Sequence, residues 1–197
     1  LFSAPALVMR SLPPLPGPLG GAARSRTTRA AATSSGTPIP AQALVPASSA
    51  PVLRRWWRDF DHTAAQQVVG PNSNPTGNLR LTQAGHGIRH ETYFYKDLFG
   101  GLPWTPMVAR PSGQEVLVDF NTTIDGVPLG LLTVRLSHDP TRVSGQANIP
   151  TLLHWGPVLG ARLRATSYVN QYISIEKLTD GTFRLTIDAA PTGPFVA

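Results

Sequence analysis

Two polar stretches of the sequence hold most of the side chains that could recognise a ligand or take part in a reaction. They are QAGHGIRHETYFYK (83–96) and RLSHDPTRVSGQANIPTLLHWG (135–156). Arginine can pair with the guanine edge, amides can bond bidentately to adenine, and histidine, threonine and tyrosine can contact bases or phosphates. The alternative is that both stretches are solvated polar loops. The residues that we select as candidate DNA contacts are Arg89, His90, Glu91, Tyr93, Tyr95, Lys96, Arg142, Gln146, Asn148, Thr151 and His154.

Residue types that serve in catalysis are present, but their spacing matches no common catalytic motif. His86 and His90 are four residues apart, yet glycines flank His86, so a helix that presents both rings to one metal is not expected. An apolar residue stands two positions before each of the two lysines, which excludes the acid-x-Lys and His-x-Lys patterns of nucleases. The remaining catalytic alternative is a hydrolase that uses Glu115 and Asp119 on one face of a predicted strand. We therefore expect no catalysis, metal site or cofactor in this chain.

The elements that would position these residues are mainly strands. EVLVDFNTTI (115–124), the turn Asp125-Gly126 and LGLLTVRLS (129–137) predict one hairpin, and YISIEKL (172–178) with TFRLTID (182–188) predicts a second. NLRLTQ (78–83) also alternates, whereas DLFGGL and GPVLGARLRA are typical of short helical segments. LRRWWRDF (53–60) is predicted to dock two tryptophans as one helical or extended segment. Short strands with one or two helices predict a mainly β barrel or pseudobarrel.

The segment HETYFYKDLFGGLPW (90–104) contains five aromatic rings, and we expect it to divide between core and surface. If it is extended, Tyr93 and Tyr95 share one face and Phe94 lies on the other. The residues expected in the core are Phe94, Phe99, Trp104 and Trp155, and those expected at an exposed edge are His90, Tyr95 and Lys96. His138 and His154 are expected to form structural hydrogen bonds, with DNA contact as the alternative.

The positive charge of the chain is concentrated at its N-terminus. Residues 1–58 hold seven arginines and no acid, whereas the chain from Asp59 onward has ten basic and eleven acidic residues, a balance of −1. If the folded part binds DNA, it must do so through a few placed groups rather than bulk charge. Residues 1–51 are rich in proline, alanine and arginine, which predicts a linker or disordered tail, with a transit sequence or a basic arm as alternatives.

The predicted organisation has four parts: the 1–51 tail, a docking segment and turn-rich junction at 52–77, a folded domain at 78–190 and a short tail at 191–197. The chain has no cysteine, which excludes a disulfide scaffold. It also has no run of eighteen apolar residues, so we expect no membrane span.

Parts of the sequence resemble the DNA-recognition (effector) domains of EcoRII-type restriction endonucleases. In GIRHETYFYKDLFG (87–100), His90, Tyr95 and the Leu98-Phe99 pair are similar to the first recognition arm of that family. Asn148 and the step His154-Trp155-Gly156 are similar to the second arm, and 157–181 resembles the closing strands. These domains share the seven-stranded pseudobarrel of plant B-three transcription factors and of BfiI-type enzymes, whose two arms enter the DNA major groove. The resemblance covers residues 78–190 and implies that this chain has the same fold and binds the major groove with two arms in the same way.

The chain departs from the family in the second arm. Where the family has several charged residues before the Trp-Gly step, this chain has GQANIPT (145–151), so a shared target sequence is not expected. Gln146 and Asn148 would replace arginine–guanine contacts by amide contacts. Their alanine variants should lose about 1–3 kcal/mol of site discrimination per bidentate contact.

The resemblance implies a sequence-specific double-stranded DNA recognition domain of a bacterial, cytoplasmic restriction–modification enzyme. The expected partners are double-stranded DNA and a separate nuclease domain, with no cofactor and no membrane. DNA binding would require one face to gather the basic residues Arg80, Arg89, Lys96, Arg110, Arg135, Arg142, Arg162 and Arg164. The alternative is a structural, nucleic-acid-associated component of a virus capsid or organellar ribosome, located in a virion or a mitochondrion, with 1–51 as its basic arm.

Overall fold

The fold is known from a computed structural model of the chain, which describes residues 48–60, 77–143 and 149–197. All of them belong to one compact unit. The strands are β1 (Val52–Asp59), β2 (Asn78–Arg80), β3 (Thr105–Met107), β4 (Arg110–Ile124), β5 (Val127–His138), β6 (Thr151–His154), β7 (Tyr172–Leu178) and β8 (Phe183–Asp188). The helical segments are a short helix (Phe94–Leu98), a 3-10 turn (Pro140–Val143) and the helix α1 (Gly156–Ala165).

Within the described ranges, the eight strands form one sheet that curls into a half-barrel. Seven of them follow the order β1-β7-β8-β4-β5-β6-β2, and β3 pairs with β4. The pairings are antiparallel except for β4 with β8, which are parallel. The expectation of a mainly β fold with one or two short helices is confirmed.

The two predicted hairpins are present. In the first, β4 and β5 pair from Gln114 with His138 to Ile124 with Val127. Asp125 and Gly126 connect them with φ values of 51° and 71°, the left-handed pair that matches the twist of a two-residue hairpin. In the second, β7 and β8 pair over Tyr172–Lys177. The turn residues and the alternation of apolar and polar residues are therefore sufficient to predict both hairpins.

The segment with the tryptophan pair is extended and forms β1, an edge of the sheet. It pairs with β7, and Trp56 is fully buried and donates a hydrogen bond to the carbonyl of Thr82 at 2.9 Å. On its other side, Arg55 forms a bridge with Val196, so the end of the chain also contacts this strand. The sheet thus extends beyond 78–190 on both sides.

The prediction that Tyr93 and Tyr95 share a face of an extended segment is wrong. The chain is helical at Phe94–Leu98. Residues two apart share a face in a strand, but in a helix their side chains point in different directions. Tyr93 and Phe94 are buried together, whereas Tyr95 is half-buried and Lys96 is exposed. Phe99 and Trp155 are buried, which confirms them as core residues, and Trp104 packs against the core while remaining partly exposed.

The core lies against one face of the sheet. In β4 the alternate residues Val116, Val118 and Phe120 are buried and their neighbours are largely exposed. The short helix adds Phe94 and Leu98 to this cluster, and α1 adds further leucines. None of the helices in the described residues is long and apolar enough to cross a membrane.

Candidate nucleic-acid interface

Both polar stretches leave the sheet at the same end. His138, the last residue of β5, pairs with Thr151, the first residue of β6, and with Gln114 of β4. Arg80, the last residue of β2, pairs with Leu152 of β6. Loop 1 (81–104) and loop 2 (139–150) therefore start beside one another, at what we call the loop end of the sheet. The tip of loop 2, 144–148, lies outside the described residues.

Three arginines share the surface of the loop end, namely Arg80, Arg110 and Arg142, which we call the arginine cluster. Burial lowers the pKa of Arg142, and the positive charges of Arg110 and then Arg80 lower it further. Arg80 ends β2, Arg110 begins β4 and Arg142 lies at the start of loop 2, so the register of the strands brings all three to the loop end. Asp139 lies against the cluster, with its Oδ2 atom 3.8 Å from Nη1 of Arg110. These three arginines and the one carboxylate have a net positive charge, which favours an anion at the loop end.

Asp139 also shapes the beginning of loop 2. Its Oδ1 atom accepts hydrogen bonds from the amide of Thr141 at 3.0 Å and from the Thr141 hydroxyl at 2.6 Å. The amide of Arg142 donates to the Asp139 carbonyl at 3.2 Å, which closes the 3-10 turn. The amide of Asp139 donates to the carbonyl of Pro150 at 2.9 Å, so the two ends of loop 2 are tied together. These bonds fix where Arg142 leaves the backbone.

A second polar network lies along β5 and β6. Arg135 donates to Glu115 Oε2 at 2.9 Å and to His154 Nδ1 at 3.2 Å, and His154 Nε2 is 2.9 Å from the hydroxyl of Ser137. Because a guanidinium can only donate, Nδ1 must accept, and the neutral imidazole carries its hydrogen on Nε2. His154 therefore donates to Ser137 and cannot remove its proton. The serine–histidine pair is structural, as expected for His154.

The environment of His154 strongly disfavours its charged form. Burial is the main cause, the positive charge of Arg135 adds to it, and Glu115 partly opposes it, which brings the pKa down to about 4. At neutral pH the ring is therefore uncharged. It is half-buried and held by two hydrogen bonds, so it supplies shape rather than charge to this network.

Three rings connect loop 1 with loop 2. Tyr95 stacks on His138 with ring centroids 4.5 Å apart and 16° between planes, and it contacts Trp104 at 4.9 Å. Trp104 and His138 are 6.5 Å apart in an edge-on arrangement. His138 Nδ1 is hydrogen-bonded to the Thr151 hydroxyl at 2.9 Å. The expectation that His138 forms structural hydrogen bonds is therefore confirmed.

The structure separates the candidate DNA contacts into groups. Arg142 lies in the arginine cluster, and Arg89 and Lys96 are exposed on loop 1. His90 and Glu91 are half-buried beside each other, with 3.6 Å between Nε2 and Oε1. The two residues at the tip of loop 2, Gln146 and Asn148, lie outside the described residues.

Two other candidates are enclosed by the protein. Tyr93 is 5% exposed, packs edge-on against Phe94, and has its pKa raised to about 12, mainly by burial. Thr151 is fully buried and bonded to His138. Neither side chain is placed to meet a base in this structure, so we leave both out of the proposed DNA surface.

The expected gathering of basic residues occurs in part. Arg80, Arg110 and Arg142 form the cluster, and Arg135 lies on β5 close to the residue at which loop 2 begins. α1, which carries Arg162 and Arg164, instead follows the opposite end of β6. Arg80 and Arg110 are not among the DNA contacts predicted from the sequence, because only the register of the strands brings them to loop 2.

The carboxylate pair considered for hydrolysis has other partners. Glu115 is bonded to Arg135, and Asp119 accepts a 2.5 Å hydrogen bond from the hydroxyl of Thr133. In the part of the chain that the structure describes, no group of three or more His, Asp or Glu side chains is arranged to hold a metal ion.

A pocket of about 520 Å³ lies on the sheet face that bears the exposed residues of β4 and β5. Leu117 and Leu131 contribute apolar walls, with exposed fractions of 68% and 38%. The charged groups of its lining are already engaged, since Asp119 is bonded to Thr133 and Arg184 to Glu176. The pocket therefore offers little chemistry for a reaction.

Comparisons of the chain with protein-family models, with curated proteins and with solved structures gave no match.

Proposed function

We propose that this protein is a sequence-specific reader of double-stranded DNA that holds the duplex at the loop end of its sheet. The observation that carries the proposal is the arginine cluster beside two adjacent loops. A polyanion would relieve the repulsion among Arg80, Arg110 and Arg142, and the loops would supply side chains for the bases.

The charge distribution supports recognition through placed groups. The chain from Asp59 onward is nearly neutral, so the loop end is a local concentration of positive charge rather than part of a basic surface. Such a site fits phosphate contacts that fix register, combined with contacts to base edges that read sequence. Arg142 is the best placed of the three arginines to contact a DNA phosphate, because Asp139 fixes the turn that carries it.

The resemblance of loops 1 and 2 to the arms of restriction-endonuclease effector domains supports the major groove as the binding site. On this proposal Gln146 and Asn148, which follow Arg142 in the sequence, are the base-reading candidates by residue type. A nuclease domain in another part of the enzyme would cut the DNA.

A binding selection tests the proposal directly. The full chain is incubated with a randomised duplex pool, and the bound fraction is sequenced and its affinity measured as a function of salt. Enrichment of one short motif is expected. Arg142→Gln should then reduce the slope of log K against log salt by about 0.9, the value for one phosphate contact.

Arg162→Gln is the matched control, since Arg162 is exposed on α1, which follows the opposite end of β6. This variant should keep the wild-type slope. An equal decrease of the salt slope in both variants, or a pool in which no motif is enriched, would contradict sequence-specific DNA binding at the loop end. Binding that persists in a peptide of residues 1–51 and is absent from the rest would instead favour the structural component with a basic arm.

A further inference from the structure

The ring stack at the loop end joins parts of the chain that are far apart in sequence. Tyr95 comes from the short helix in loop 1, and His138 is the last residue of β5, where loop 2 begins. The 16° angle and 4.5 Å separation give the two rings broad face-to-face contact. Trp104, near the end of loop 1, packs on the core and contacts both rings of this pair. Loop 1 is thus anchored on the core while it reaches across to loop 2.

The contact continues from His138 into loop 2. His138 is bonded to the hydroxyl of Thr151, where loop 2 ends, and it is followed directly by Asp139. Asp139 organises the turn that carries Arg142 and lies against Arg110. A displacement of the His138 ring would therefore be transmitted to both ends of loop 2 and to two members of the arginine cluster.

The surroundings of the stack favour the neutral form of its histidine. Burial lowers the pKa of His138 below its ordinary value of 6.5, and the weaker effect of Asp139 opposes this. A neutral imidazole stacks on a phenol ring without the cost of burying a charge.

We infer that Tyr95 is a positioning residue that sets the distance between loops 1 and 2, and with it the spacing of the contacts that the two loops make with DNA. The inference rests on the proposed function for its second half. Its first half, the mechanical coupling of the loops, is a property of the protein alone and has its own test.

The coupling is measured by amide hydrogen exchange in the full chain without DNA. The amides of Asp139, Thr141 and Arg142 are hydrogen-bonded within loop 2, so their exchange rates measure how often these hydrogen bonds open. Tyr95→Leu removes the stack, and these amides should exchange roughly two- to tenfold faster, as expected from the loss of the stacked aromatic pair between Tyr95 and His138. Tyr95→Phe keeps the ring and should leave the rates unchanged.

Tyr168→Leu controls for general destabilisation. It makes the same substitution at a fully buried tyrosine between α1 and β7, outside both loops. This variant should lower Tm without selectively accelerating exchange in loop 2. Unchanged loop 2 exchange in Tyr95→Leu, or equal acceleration in Tyr168→Leu, would overturn the coupling.

The effect on recognition is measured with the motif that the wild-type protein selects. Tyr95→Leu should lower the ratio of affinities for selected and scrambled duplexes by roughly two- to tenfold, with the salt slope unchanged. A variant that loses affinity equally for both duplexes, or that changes the salt slope, would show that Tyr95 contacts phosphate or only supports folding.

The two proposals fail in different ways. If the wild-type protein selects no motif, the proposed function fails whatever the exchange rates are. If it selects a motif that Tyr95→Leu recognises equally well, only the positioning role of Tyr95 fails.

Discussion

His154 should make the protein lose stability in mild acid. Its pKa is about 4 in the folded protein, mainly because of burial and then because of Arg135, and close to the ordinary 6.5 in the unfolded chain. Between these two values the unfolded state binds a proton that the folded state does not. Stability therefore falls as the pH is lowered from 6.5 to about 4. At 1.36 kcal/mol per pKa unit, this shift lowers the free energy of unfolding by about 3 kcal/mol when the pH reaches about 4.

The measurement is the free energy of unfolding by urea at several pH values between 7 and 4. His154→Gln removes the titrating group, so the wild-type protein should lose about 3 kcal/mol more than this variant over the range. The other titratable groups are present in both proteins, so the difference between the two stability curves reports His154.

A second variant separates the two causes of the shift. Arg135→Gln removes the positive charge beside His154 but leaves the ring buried, so the acid sensitivity should decrease without disappearing. Parallel stability curves for wild-type protein and His154→Gln would refute the reasoning, because they would mean that His154 binds protons equally in both states.

Two further substitutions test interactions that hold the sheet together. Glu176→Gln should lower the free energy of unfolding in urea by roughly 3 kcal/mol, because Arg55 at 2.6 Å and Arg184 at 3.2 Å contact a carboxylate that is only 3% exposed. Glu115→Gln removes a more exposed ion pair and should lower it by about 1 kcal/mol or less. Equal losses of stability in the two variants would contradict this account. Gly126→Ala should cost about 1 kcal/mol in the same assay because its φ is 71°. Gly87→Ala should have little effect, because Gly87 has the same open space for a methyl group but no positive φ.

The parts of the fold that could be predicted from the sequence are those specified by neighbouring residues. The turn Asp125-Gly126 and the alternation on both sides of it determine the β4–β5 hairpin without help from the rest of the chain. The pairing of β1 with β7 and the parallel pairing of β4 with β8 could not be predicted in this way. They depend on which distant strands bury each other's apolar faces, and alternation alone does not identify the partner.

The same division applies to the candidate site. The composition of the loops indicated Arg142, and DNA binding required eight basic residues on one face. The sequence could not show which of the other seven lie beside Arg142, since Arg80 and Arg110 reach the loop end only through strand register. Composition also could not separate Tyr93 from Tyr95. Both are tyrosines in a polar stretch, and only the short helix buries the first and turns the second towards His138.

The position of β1 at the edge next to β7 has a consequence for synthesis on the ribosome. β1 leaves the exit tunnel long before β7, and until β7 follows, Trp56 has no sheet to be buried in. The β4–β5 hairpin can close in the meantime, because its strands are adjacent in sequence. Completion of the sheet therefore waits until β7 has emerged, and Trp56 stays exposed until then, when binding by a chaperone would protect the chain from aggregation.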